Sequence, residues 1–96
     1  MTARLHTLNK APDHVRYRSC LETLAPGDVL VLMESGVLAL AADPSFGSHR
    51  EDVQVYVISG DVAACPQLPV ADSGVEVIDH SGFLELVRRI GSPLAW

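Results

Sequence analysis

Apolar and polar positions along the chain follow two different periods. Val29-Leu30-Val31-Leu32-Met33 is continuously apolar, and Val53-Gln54-Val55-Tyr56-Val57-Ile58 becomes mostly apolar towards its end. Runs of this kind mark strands covered on both faces, as in a parallel sheet. Ala3 to Leu8 alternates weakly and runs into Asn9-Lys10-Ala11-Pro12, which predicts a strand opening into a loop; Val75–Ile78 predicts a fourth strand. Tyr17, Cys20, Leu21 and Leu24 recur at helical spacing behind Pro12-Asp13, with Asp13 the expected cap, and Ala25-Pro26-Gly27-Asp28 stops that helix. Val37–Ala42 suits a short helix begun by Ser35 or Gly36, and residues 43–48 a loop. A helical turn is expected at Val62–Cys65, stopped by Pro66, with residues 67–74 as loop. Phe83, Leu86, Val87 and Ile90 line one face of a last helix, capped by Asp79 or Ser81 and closed by Gly91 and Pro93. Leu94-Ala95-Trp96 is expected to add an edge strand.

Strand, polar turn and helix recur with connections long enough to cross over, which predicts an α/β fold, a small three-layer sandwich with a mainly parallel β-sheet. With 96 residues, a single domain over residues 1–96 is expected. Sites in such sheets gather at the carboxyl ends of the strands. That rule would bring His6-Thr7, Glu34-Ser35-Gly36, Ser59-Gly60-Asp61 and Asp79-His80-Ser81 to one edge. Hydrophobic residues make up 48% and charged residues 20%, too apolar and too weakly charged for a disordered chain. The longest apolar runs, of five and six residues, are far short of the roughly 20 that cross a bilayer. A chain of this size hides only about 60–65% of its unfolded surface, which leaves room for an apolar face kept for a partner.

Charge narrows the partners. The net charge of −5 is distributed unevenly: Arg4, Lys10, Arg16 and Arg18 against Asp13 give residues 1–18 a local +3, leaving −8 on the rest. An acidic chain without a basic stripe interleaved with aromatics argues against direct nucleic-acid binding. The basic start has two readings, a solvated helix end or a docking and thiolate-stabilising patch. Two cysteines are too few for a secreted disulfide framework, and Met-Thr-Ala-Arg-Leu-His lacks the apolar stretch of a signal peptide, so cytoplasm is the expected compartment.

Common fingerprints for phosphate, dinucleotide, esterase and metalloprotease chemistry are missing from the sequence. His6, His14, His49 and His80 lie far apart and neither cysteine has a ligand-spaced neighbour, so no metal and no cofactor is expected. Glu34, Asp61 and Asp79 each follow a strand, where a capping acid is ordinary. At about 100° per residue, Cys20 falls roughly 70° from the centre of the first helix's apolar stripe, between that stripe and Arg16. At such a boundary it is either a small packing group or a reactive thiol whose thiolate Arg16 and Arg18 would favour. Cys65, beside Pro66 on a short loop, is expected to be more exposed but has no cation nearby.

Leu5-His6-Thr7-Leu8-Asn9-Lys10-Ala11-Pro12, Leu24-x-Pro26-Gly27-Asp28 and Leu32-Met33-Glu34-Ser35-Gly36-Val37, in that order, resemble the TusB/DsrH family of sulfur-relay subunits. Val55-Tyr56-Val57, Asp61-Val62-Ala63-Ala64, Val77-Ile78-Asp79-His80-Ser81-Gly82-Phe83 and Ala95-Trp96 extend the resemblance over nearly the whole chain. It implies a DsrE-like fold and a subunit that assembles with sister subunits of TusC/DsrF and TusD/DsrE type into a heterohexamer. Such assemblies pass persulfide sulfur to a TusE/DsrC-type carrier, for 2-thiolation of the wobble uridine of tRNA or for sulfur oxidation. The principal relay cysteine belongs to the TusD/DsrE-type subunit, although DsrH-type members can carry a cysteine in the first helix, where Cys20 stands, whereas TusB-type members can lack one; on the resemblance, Cys20 tilts the expectation towards the sulfur-oxidation branch. Two readings stay open: Cys20 carries persulfide with Arg16 and Arg18 as thiolate stabilisers, or the chain is a docking subunit and a sister holds the relay cysteine.

Overall fold

A computed structural model describes residues 3–96. Five strands, β1 (Leu5–Leu8), β2 (Val29–Leu32), β3 (Gln54–Ile58), β4 (Glu76–Ile78) and β5 (Leu94–Ala95), form one sheet in the order β4-β3-β2-β1-β5. Every pairing is parallel, with Leu5 opposite Val29, Val29 opposite Gln54 and Tyr56 opposite Glu76. The expected α/β sandwich with a parallel sheet is therefore observed. Its helices are α1 (Val15–Thr23), α2 (Ala39–Ala42), α3 (Ser59–Ala63) and α4 (His80–Ile90), with a 3-10 segment, Glu34–Leu38, leading into α2.

Topology decides which face each helix covers. The chain steps from β1 to β4 in one direction, so right-handed crossovers place α1, α2 and α3 on one face. From β4 it returns across the sheet to β5, which places α4 on the other. Pleating then divides the strands between two apolar clusters. Leu8, Leu30, Leu32, Val55 and Val57 are buried with Cys20, Leu40 and Phe46, whereas Leu5, Val29 and Val31 are buried with Leu86 of α4. One helix does not cover a five-stranded face: Met33, Tyr56, Ile58 and Ile78 stay half-buried beside it, as does Phe83 of α4 itself. No described helix is long and apolar enough to cross a membrane.

Several boundaries differ from expectation. Asp13 does not cap α1: a turn from Ala11 to His14, with the His14 N–H donating to the Ala11 carbonyl, places Pro12-Asp13 in its bend, and His14 Nδ1 accepts from the Arg16 N–H at 3.0 Å. The expected helix at Val37–Ala42 is a 3-10 segment followed by four α-helical residues. The turn expected at Val62–Cys65 is instead α3, which starts three residues earlier, at Ser59. β1 runs to Leu8, so His6 and Thr7 are buried within the strand and do not belong to its carboxyl end.

Candidate functional site

The carboxyl ends of β2, β3 and β4 meet at the turn after β2. Glu34 there has φ +49°, a left-handed conformation that side chains other than glycine rarely adopt. Two contacts hold it. The Glu34 N–H donates to Asp61 Oδ2 at 2.9 Å, and the Gly36 N–H closes the turn on the Met33 carbonyl at 2.8 Å. Gly36 passes so close to β1 that a Cβ at that position would lie 2.0 Å from the Leu8 carbonyl oxygen. The Glu-Ser-Gly sequence thus fixes a turn that presents the Glu34 side chain outward, and Asp61 links the end of β2 to the start of α3.

On one side of this Glu34–Asp61 pair lies a cleft of about 290 Å³, lined by Met33, Glu34, Ile58, Asp61, His80 and Phe83. It opens between β3 and β4, where the following helices leave on opposite faces of the sheet, the place the parallel-sheet rule favours for binding. On the other side is a cleft of about 370 Å³ whose walls include Glu34, Val37, Leu38, Asp61, Ala64 and Cys65. Three of the four strand-end clusters expected together do meet here, those beginning at Glu34, Ser59 and Asp79. Asp79 caps α4, accepting from the Gly82 N–H at 2.8 Å. Sequence reasoning missed the apolar floor, because Met33, Ile58 and Phe83 read as ordinary strand and helix core.

Cys20 lies elsewhere. It is 0% exposed, the only fully buried residue of α1, in one cluster with Leu30, Leu32 and Phe46. The expected boundary position is not observed, since residues 43–53 fold beside α1 and close its second flank, with Phe46 and Val53 joining the cluster. Burial pushes the thiol up to about 12. Neither arginine opposes that shift. The Arg16 guanidinium donates to the Ala95 carbonyl at 3.3 Å and sits 5.6 Å from the centre of the Trp96 ring, while Arg18 is exposed beside Pro12, Asp13 and His14. The other early cations are also structural: Arg4 donates to the Thr23 carbonyl, and Lys10 to the Trp96 carbonyl.

A second polar group sits within the fold. His6 is 0% exposed; its Nε2 is 2.8 Å from Asp28 Oδ2 and its Nδ1 accepts from Trp96 Nε1–H at 3.1 Å. Indole nitrogen only donates, so the ring proton belongs on Nε2, directed at Asp28. Asp28 also accepts from the Arg4 and Ala25 N–H groups. No spacing rule links residues 6 and 96, and Asp28 read only as part of a helix stop.

The family described as DsrH like protein matches residues 10–91. Protein TusB of Pectobacterium parmentieri is 33% identical over 95 residues, covering 96% of this chain and 99% of its own. Protein TusB of Klebsiella pneumoniae is 31% identical, and that of Escherichia coli K12 27% identical, each over 94 residues with the same coverage. In fold, the chain is similar to protein Tm0979 of Thermotoga maritima, solved by NMR in solution, with a TM-score of 0.64 at 23% identity over 90% of this chain and 92% of that one.

Proposed function

As this chain belongs to the DsrH-like protein family, we propose that it is a docking subunit of a sulfur-relay assembly in which a sister subunit holds the relay cysteine. The sisters are of TusC/DsrF and TusD/DsrE type, and persulfide sulfur leaves on a carrier of TusE/DsrC type. The full-length likeness to TusB proteins favours 2-thiolation of wobble uridine in tRNA over sulfur oxidation. The burial of Cys20 carries this reading. Attack on sulfur needs thiolate at the surface. A thiol enclosed at 0% exposure, its pKa pushed up to about 12 by burial, keeps its proton at neutral pH. Cys20 therefore serves as a small apolar group in the core. The chain's acidity also keeps RNA away from it, so the tRNA is handled by other components of the pathway.

The test is to express the chain with its sister subunits, purify the complex, load it with a persulfide donor and measure the intact mass of each subunit. The added sulfur is expected on a sister subunit alone, and both Cys20→Ala and Cys20→Ser should leave transfer to the carrier unchanged in complexes that assemble. One added sulfur on this chain, removed by thiol reductant and lost in Cys20→Ala, overturns the docking reading and makes Cys20 the persulfide carrier.

A further inference from the structure

The two clefts beside the Glu34–Asp61 pair share one chemistry, an apolar floor and an acidic divide. Met33, Ile58 and Phe83 floor one, and Val37, Leu38 and Ala64 the other, with Leu38 still 37% exposed. No lysine or arginine lines either cleft. The Glu34 carboxylate is exposed and makes no hydrogen bond or ion pair among the described residues, and Asp79 adds a third negative charge beside His80. Among the described residues no buried side-chain polar atom is left without a partner, so neither cleft aims an unused buried donor at a polar metabolite. An apolar depression divided by carboxylates favours an apolar side chain next to a cation and repels acidic segments and phosphate.

We infer that this edge of the sheet docks a segment of a partner protein in which lysine or arginine is flanked by aliphatic or aromatic side chains. The cation lies against Glu34 and Asp61, and its apolar neighbours enter the clefts on either side. In a second copy of this chain Arg4, Lys10, Arg16 and Arg50 are bound to groups of their own fold and Arg88 is paired with Glu85, which leaves only the exposed Arg18 and Arg89 to meet the carboxylates, so pairing of two copies is an outcome that the test distinguishes. The inference rests on the docking reading and specifies the chemistry of what is docked. Apolar contact supplies most of the attraction, while the carboxylates select the sign of the charge.

The experiment titrates the isotopically labelled full chain with a blocked pentapeptide, Gly-Leu-Lys-Leu-Gly, and separately with its Gly-Leu-Glu-Leu-Gly counterpart, following backbone amides by NMR. The lysine peptide should shift amides of residues 33–38, 58–65 and 80–83 with a dissociation constant of about 1 mM. The glutamate peptide should bind about tenfold more weakly, and about 0.5 M salt should weaken the lysine peptide severalfold. Glu34→Lys should weaken the lysine peptide about tenfold while the rest of the spectrum keeps its folded dispersion. Equal binding of the two peptides, shifts elsewhere, or no shifts up to about 10 mM overturns the inference. So does concentration-dependent pairing of the chain through these residues, which makes a second copy the occupant. Co-purification with the sister subunits separates the two failures. A chain that assembles yet ignores the lysine peptide loses this inference and keeps the docking reading, whereas a chain that never assembles loses the docking reading whatever the peptide does.

Discussion

The proton on His6 Nε2 ties three distant parts of the chain together, because Asp28 accepts it while Trp96 donates to the other ring nitrogen. Burial alone raises the pKa of Asp28, but the hydrogen bonds from His6 Nε2–H and from the Ala25 and Arg4 N–H groups outweigh it and hold the carboxyl below the ordinary carboxylate range. The sign of the consequence follows from linkage. A carboxyl whose folded pKa is depressed adds stability that is complete above the unfolded value of about 3.9 and is lost as pH falls through the folded one. Asp28→Asn should therefore cost about 2–3 kcal/mol at neutral pH, the usual worth of hydrogen bonds to a buried charged group. It should also flatten the acid limb of the stability profile below about pH 4. Urea unfolding at a series of pH values checks both; an unchanged acid limb would mean that another carboxylate controls it.

Gly36 and Gly60 stand on either side of the same strand-end cleft, yet the chain treats them oppositely. A Cβ on Gly36 would meet the Leu8 carbonyl at 2.0 Å, backbone against backbone, whereas a Cβ on Gly60, inside α3, meets nothing within 4 Å. Gly36→Ala should cost about 3 kcal/mol or more, by driving apart β1 and the turn that carries Glu34. Gly60→Ala should stabilise by roughly 0.5–1 kcal/mol, the ordinary gain of alanine in a helix. Thermal or urea unfolding of the two variants reads the contrast directly. The same neighbourhood explains which parts of the fold were legible in the sequence. β2 and β3 announce themselves because both of their faces are covered, and α4 because its apolar face repeats every three to four residues. The start of α3 did not, since Ser59 and Gly60 are weak helix formers and the chain turns there so that Asp61 can reach the Glu34 N–H. Asp13 looked like the cap of α1, but with Pro12 at the bend it belongs to the preceding turn, and the His14 ring takes the role. The burial of Cys20 escaped periodicity for a related reason: one flank of α1 is closed by residues 43–53, which carry no regular pattern of their own. The polar strand ends were legible as a meeting place, but not the cleft floor, which depends on α4 leaving Ile58 and its own Phe83 half-buried.

Sheet order makes the molecule uneven from its centre outward. β2 has hydrogen-bonded neighbours on both sides and no exposed residue, whereas β4 is an edge with Glu76 and Val77 exposed, and β5 is a two-residue edge with both residues exposed. One face carries α1, α2 and α3 and the other only α4, so local opening begins where fewest groups bury one another. Amide exchange should be slowest in β2, intermediate in β1 and β3, and fastest in β4 and β5. The β5 edge depends on a side-chain clasp as well as its ladder: the Trp96 N–H donates to the Thr7 carbonyl, its indole donates to His6, and Arg16 covers its ring. Removing the ring in Trp96→Ala deletes the indole contacts and leaves the ladder's backbone groups in place. The variant should therefore speed exchange in β5 and at the β1 amides beside it by about tenfold or more, the equivalent of losing roughly 1.4 kcal/mol of local stability. Exchange in β2 follows the opening of the whole sheet and should change only by the variant's effect on global stability, which urea unfolding measures separately. Uniform acceleration of all five strands would show that the clasp holds the entire fold, and that β5 opens only when the sheet does.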